Sequence, residues 1–156
     1  MPQNSINLND PRQNAILSMK NSIPATSWDN NTNFLKSLRD QITNHRVSNH
    51  PAIQILKSGQ LNIEQLKHVH LEYRHAIVQI FTDALLMAQF QSKQLEPLLN
   101  SGSKMAARFL LSLNVLDEFG FKPGLSESGY YIGHPDHAHY PLYEKLLDSL
   151  DITEDD

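Results

Sequence analysis

Between Asn62 and Gln91 the apolar residues recur at three- and four-residue intervals, from Leu66 and Val69 through Tyr73, Ile77 and Phe81 to Phe90. That is the period of an α-helix with a wide apolar face, and no strand can use it. The segment opens on a strong start signal. Asn62 with Gln65 three residues on reads as a capping box, and Glu64 stands in the first turn, which favours acids. The same spacing returns in Phe34, Leu35, Leu38 and Ile42, in Ala106 to Leu116, and in Tyr140, Leu142, Tyr143, Leu146, Leu147 and Leu150. No alternating run competes with it. The expected class is all-α, with no sheet.

Punctuation divides the chain. Residues 1–33 are rich in Asn, Ser and Pro, side chains that compete with the backbone for hydrogen bonds and bury little area. They read as a flexible N-terminal arm with one short helix around Ala15–Met19. A helical domain then runs over 34–150, with Asn33 as its first N-cap. His50-Pro51 interrupts it and restarts a helix, because proline suits a first turn. Gly59 stops that helix, Pro97 opens another region, and Gly120 sits at the site where helices commonly end. Residues 120–138 read as a polar loop, and 151–156 as a frayed acidic tail.

Composition excludes several classes. The 156 residues contain no cysteine, which removes disulfides, thiol catalysis and Cys-bound metals. Lys and Arg number 13 against 17 Asp and Glu, so nucleic acid is not an expected partner. No apolar stretch reaches membrane-spanning length, and the first residues lack a basic-then-apolar leader. The expectation is a cytoplasmic protein without a membrane partner. There is no Gly-x-Ser-x-Gly elbow and no Gly-rich phosphate loop.

Imidazoles and carboxylates remain, the ligand types of non-haem iron, manganese or zinc. Eight histidines are present. Glu72 and His75 stand three apart on one helix face, the spacing used by carboxylate metal sites in bundles. The competing reading is a solvated polar face, above all for His68, His70 and Glu72. Asp117 and Glu118 end an apolar helix, where the dipole disfavours acids, so a tertiary reason is expected for them. His134, Asp136, His137 and His139 form a tract with metal-binding composition. His139, beside the last helix, is the best placed, and a surface cluster is the plain alternative for His134 and His137.

The order of these motifs resembles the haem-oxygenase-like superfamily. His50-Pro51, then Gly59-Gln60-Leu61-Asn62-Ile63-Glu64-Gln65-Leu66 leading to Glu72-Tyr73, is similar to that group's opening. Asn114-Val115-Leu116-Asp117-Glu118-Phe119-Gly120 resembles its N-x-x-D-E-x-G element, and His139-Tyr140-Pro141-Leu142-Tyr143 resembles the helix start that follows in the di-iron oxidase branch. The resemblance implies a helical bundle, Fe(II) without haem, and an oxidase or oxygenase acting with O₂ on a small organic substrate. It assigns iron ligation to Glu118 and His139. His134 or His137 is the alternative to His139, because the interval is longer here, and Glu72 and His75 are possible additional ligands. The group's remaining ligands would fall beyond residue 150, so the chain looks like the N-terminal half of such a domain without its closing helices. That implies a homo-oligomer or a partner chain, and a di-iron centre only if a second half-site is supplied. A thiaminase-type enzyme of the same fold and a non-catalytic helical module are the other expectations.

Overall fold

A computed structural model describes residues 8–153. Helix accounts for 74 % of the structure and strand for 5 %, far above the ~30–35 % helix of an average globular chain. The elements are α1 (Pro11–Ser22), α2 (Ala25–Asn44), α3 (Pro51–Ser58), α4 (Ile63–Tyr73), a π turn (Arg74–Val78) and α5 (Gln79–Gln91). A 3₁₀ turn (Ser92–Gln94) leads to α6 (Leu95–Leu98) and α7 (Ser101–Glu118). A hairpin of β1 (Phe121–Leu125) and β2 (Tyr131–Gly133), a 3₁₀ turn (Pro135–His137) and α8 (His139–Ser149) follow.

Helix α7 is the hub: α1, α5, α6 and α8 all pack on it. Small residues let α1 come close, since Ala15 and Ala106 are both buried. Asn100 ties the two helices. Its Oδ1 accepts from Ser103 N at 2.9 Å and caps α7, while its Nδ2 donates to Ser22 O at 2.7 Å, an end carbonyl of α1. On the other side Gln89 of α5 donates to the Ser112 hydroxyl at 2.7 Å, and the Arg108 guanidinium to that of Ser92 at 3.0 Å.

Several start and stop signals act as their chemistry requires. Asn62 and Gln65 form the full capping box, Pro51 is the first residue of α3, and Gly59 ends α3 at φ 67°. Other expectations need correction. Residues 11–33 are mostly helical: α1 is capped by Asp10, and α2 begins after Pro24 instead of at Asn33. The residues 1–7 of the expected arm, Asn4 among them, lie outside the described residues. The long helix is not continuous, because the π turn interrupts it at Arg74–Val78.

The expectation of no sheet is also overturned, by β1 and β2, which pair antiparallel with Phe121 opposite Gly133. Pro123 and Gly124 break the register between Lys122 and Leu125. A bulge is one of the few places a strand accepts proline. Finally, the tail does not fray at once. Asp151 adopts φ 55°, Asp151 N donates to Asp148 O and Ile152 N to Leu147 O, and Leu147 and Ile152 are buried together at this Schellman end. Glu154, Asp155 and Asp156 lie outside the described residues.

One backbone contact positions everything after α7. Gly120 has φ 83°, and its carbonyl accepts from His134 N at 3.2 Å. A Cβ on Gly120 would stand 2.4 Å from His134 O and 2.5 Å from Ala138 N. Only glycine permits that approach. Gly120→Ala is expected to cost at least ~1–2 kcal/mol from the left-handed backbone alone. The backbone clash adds to that. Thermal denaturation should show a midpoint lower by several degrees; an unchanged midpoint would mean that this segment does not rest on α7.

Candidate functional site

Glu118 is the last residue of α7 and His139 the first of α8. The turn at Gly120, the hairpin and the 3₁₀ turn bring the chain back so that His139 Nδ1 stands 3.0 Å from Glu118 Oε1. Glu118 is largely buried, its side chain 16 % exposed, while His139 is half exposed. Asp117 Oδ1 lies 4.0 Å from His139 Nε2, on a side chain that faces solvent. This is the tertiary reason for an acid at the wrong end of α7: Glu118 meets the first residue of α8, where the positive end of a second dipole favours a carboxylate.

Both side chains border a cleft of about 520 Å³ between the α4–α5 helix and α8. Its wall is apolar and aromatic, including Tyr73, Ile77, Phe81, Leu142, Tyr143 and Leu146. The π turn supplies Ile77 and Val78 to that wall, and an extra residue inserted in a helix is often found beside functional sites.

Behind the wall stands a polar pair with no sequence pattern to announce it. Arg74, buried, places Nε 2.9 Å from Glu144 Oε1 and locks the π turn to α8. Burial disfavours the Arg74 charge, but the Glu144 carboxylate and Tyr140 together more than offset this and hold the guanidinium above its ordinary value. His70 is not solvated as one sequence reading had it. It is half-buried, with Nδ1 2.9 Å from the Tyr143 hydroxyl, which itself donates to His70 O at 2.9 Å. Since the phenol has one proton, His70 Nδ1 must be the donor in the first of these contacts.

The other candidate ligands lie elsewhere. Glu72 faces solvent with His68 at 4.0 Å, and His75 Nδ1 contacts Gln79 Oε1 at 3.0 Å on an exposed face. His134 caps the 3₁₀ turn, accepting from Asp136 N at 3.1 Å, with the His137 ring 5.7 Å away. Among the described residues no three His, Cys, Asp or Glu side chains converge tightly enough to hold a metal ion by themselves. Glu118 and His139 are thus a pair, and Glu72, His75, His134 and His137 do not enlarge it to a site.

No family model, no curated protein and no solved structure matches this chain. No helix among the described residues is long and apolar enough to cross a membrane.

Tyr143 provides a test of the contact between α4 and α8. Burial, then the neighbouring Tyr73 and Glu144, push its phenol above the ordinary value of about 10. The unfolded chain therefore gives up this proton first as pH rises. The stabilisation is fully present below pH ~10 and is lost as pH climbs through the raised folded value. Tyr143→Phe should cost about 1 kcal/mol at neutral pH by unpairing His70, and should flatten the alkaline loss of stability. Denaturant titration at neutral and alkaline pH reads both; identical profiles for the two proteins would remove Tyr143 from the contact.

Proposed function

We propose that Glu118 and His139 are two ligands of a non-haem iron site, and that the chain acts as an iron-dependent oxidase or oxygenase on a small organic substrate. The supporting observation is the placement of a largely buried carboxylate 3.0 Å from an imidazole at an apolar, aromatic cleft. The donor chemistry fits: a carboxylate oxygen suits a hard divalent cation, and a neutral imidazole suits Fe(II). When bound, iron would supply activation of O₂.

The chain's own residues have separate tasks in this reading. Glu118 would hold the cation through its carboxylate. His139 adds a neutral donor from the other side of the cleft, its position set by Gly120 and the turn Pro135–His137. Tyr73, Ile77, Phe81 and Leu142 seat the apolar part of a substrate. Arg74 and Glu144 fix the π turn against α8, so the two walls of the cleft hold their separation. Two ligands are fewer than iron requires, so this reading needs ligands beyond the pair, and iron held by Glu118 and His139 alone would exchange readily. A thiaminase-type reaction is a poorer fit, because the cysteine it uses has no counterpart here.

Anaerobic Fe(II) titration of protein without a histidine tag tests the assignment. Glu118→Ala and His139→Ala should each weaken binding ~10-fold or more, at least the cost of disturbing a group behind a ligand. His68→Ala, on the solvated face of α4, should change nothing. Acidification that protonates imidazole should also release the metal. Binding that is absent, or indifferent to both substitutions, would replace this reading with that of a non-catalytic helical interaction module.

A further inference from the structure

The chain leaves far more surface uncovered than its mass warrants. A folded monomer of 17.8 kDa exposes about 8,000 Å², whereas 12125 Å² is exposed here. The ten terminal residues outside the described span, even if fully extended, account for only ~1,600 Å² of the difference. About 2,500 Å² remains. That equals the upper end of the ~1,000–2,500 Å² that each chain contributes to an obligate homodimer interface. The core is correspondingly small: among the described residues only Ala15, Ala106, Leu147 and Ile152 are buried apolar side chains.

The uncovered surface is concentrated in one arm. From Asp29 to Gln60 every side chain except that of Ile53 is exposed, and neither α2 nor α3 packs substantially on another helix. The arm is nevertheless amphipathic. Phe34, Leu38 and Ile42 stand four residues apart on α2 with Leu35 beside them, 65 %, 38 %, 57 % and 53 % exposed. An apolar helical stripe of this spacing is the form that docks into an apolar groove. Its charge also differs from the rest. Residues 29–60 hold four Lys or Arg (Lys36, Arg39, Arg46, Lys57) against two Asp (Asp29, Asp40), a charge of +2 on a chain of −4, so the remainder carries −6, three of those charges on Glu154, Asp155 and Asp156.

We infer that the α2–α3 arm of one copy docks over the cleft between α5 and α8 of a second copy, in a reciprocal exchange that makes a closed dimer. The occupant is a second copy because the chain carries both halves of the contact: a cationic arm whose Phe34, Leu38 and Ile42 stand exposed, and a net-acidic body whose apolar cleft lacks a cover. A two-fold exchange satisfies both arms and leaves neither open to extend a fibre. The inference does not depend on metal binding.

Sedimentation at micromolar concentration should give the mass of two chains, and Leu38→Glu with Ile42→Glu should reduce it to one. Circular dichroism of that variant should retain the wild-type helical signal, since Leu38 and Ile42 are both exposed. The cysteine-free sequence allows the seat to be located. Leu38→Cys protein mixed with Ile77→Cys protein should form a disulfide-linked dimer on mild oxidation, and Leu38→Cys protein alone should not. A monomeric wild type, a dimer untouched by the glutamates, or cross-linking of Leu38→Cys protein with itself would each overturn the arrangement. Loss of Fe(II) binding with the dimer intact would leave the exchange standing and remove only the iron reading.

Discussion

The close approach of backbone at Gly120 is the constraint on which the geometry around the cleft depends. Helix α7 ends on Asp117 and Glu118, and the chain must reverse just beyond them without a bulky side chain between α7 and the segment 134–138. Because Gly120 permits backbone against backbone, His134 N reaches Gly120 O and the turn Pro135–His137 is seated on the end of α7. The start of α8 then falls beside Glu118. Without that contact, the two side chains belong to opposite ends of a twenty-residue excursion, and flexible loops of that length do not hold a 3.0 Å separation. The contact is also economical in sequence terms, since one residue sets both the end of a helix and the approach of the next.

A second constraint acts from the opposite wall. The π turn shifts the face of the α4–α5 helix by one residue, so that Arg74 points to α8 while Ile77 and Val78 turn toward the cleft. A buried guanidinium with a single carboxylate partner is a poor source of net stability, because both groups lose hydration. Its contribution lies in specificity. Only one placement of α8 pairs Glu144 with Arg74 and also lets the Tyr143 hydroxyl satisfy His70.

Much of this fold was legible from local chemistry. The Asn62–Gln65 box, the proline start of α3, Gly59 and Gly120 are each decided within four residues, which is the range over which a sequence can be read directly. What was not legible is what depends on distance. The hairpin has only short paired stretches, every residue of which is exposed, so it has no apolar alternation to display. Residues 11–33 resemble a loop by composition, yet α1 is held by the Asn100 side chain and by packing on α7, where Ala15 and Ala106 are buried, partners roughly eighty to ninety positions away. Asn100 was itself a readable cap signal, hidden by the Pro97 that precedes it. Of the site, the misplaced acids at the end of α7 were the useful clue, because a dipole penalty that local structure does not explain points to a tertiary partner. His70 shows the converse: a residue between apolar positions reads as solvated until a tyrosine seventy residues later covers it.

The uncovered area and the cleft are finally one problem. An ion pair or a metal ligand set at the edge of an open cleft is weakened by water, and its interactions strengthen as the local dielectric falls. The walls contributed by Phe81, Leu142 and Leu146 cannot exclude water while one side stands open. A cover that closes the apolar wall therefore raises the electrostatic value of Glu118 and His139 at the same time as it buries hydrophobic area. With only four buried apolar side chains among the described residues, the area term would drive the association inferred above, and the chemistry of the site would gain from a burial it could not supply itself.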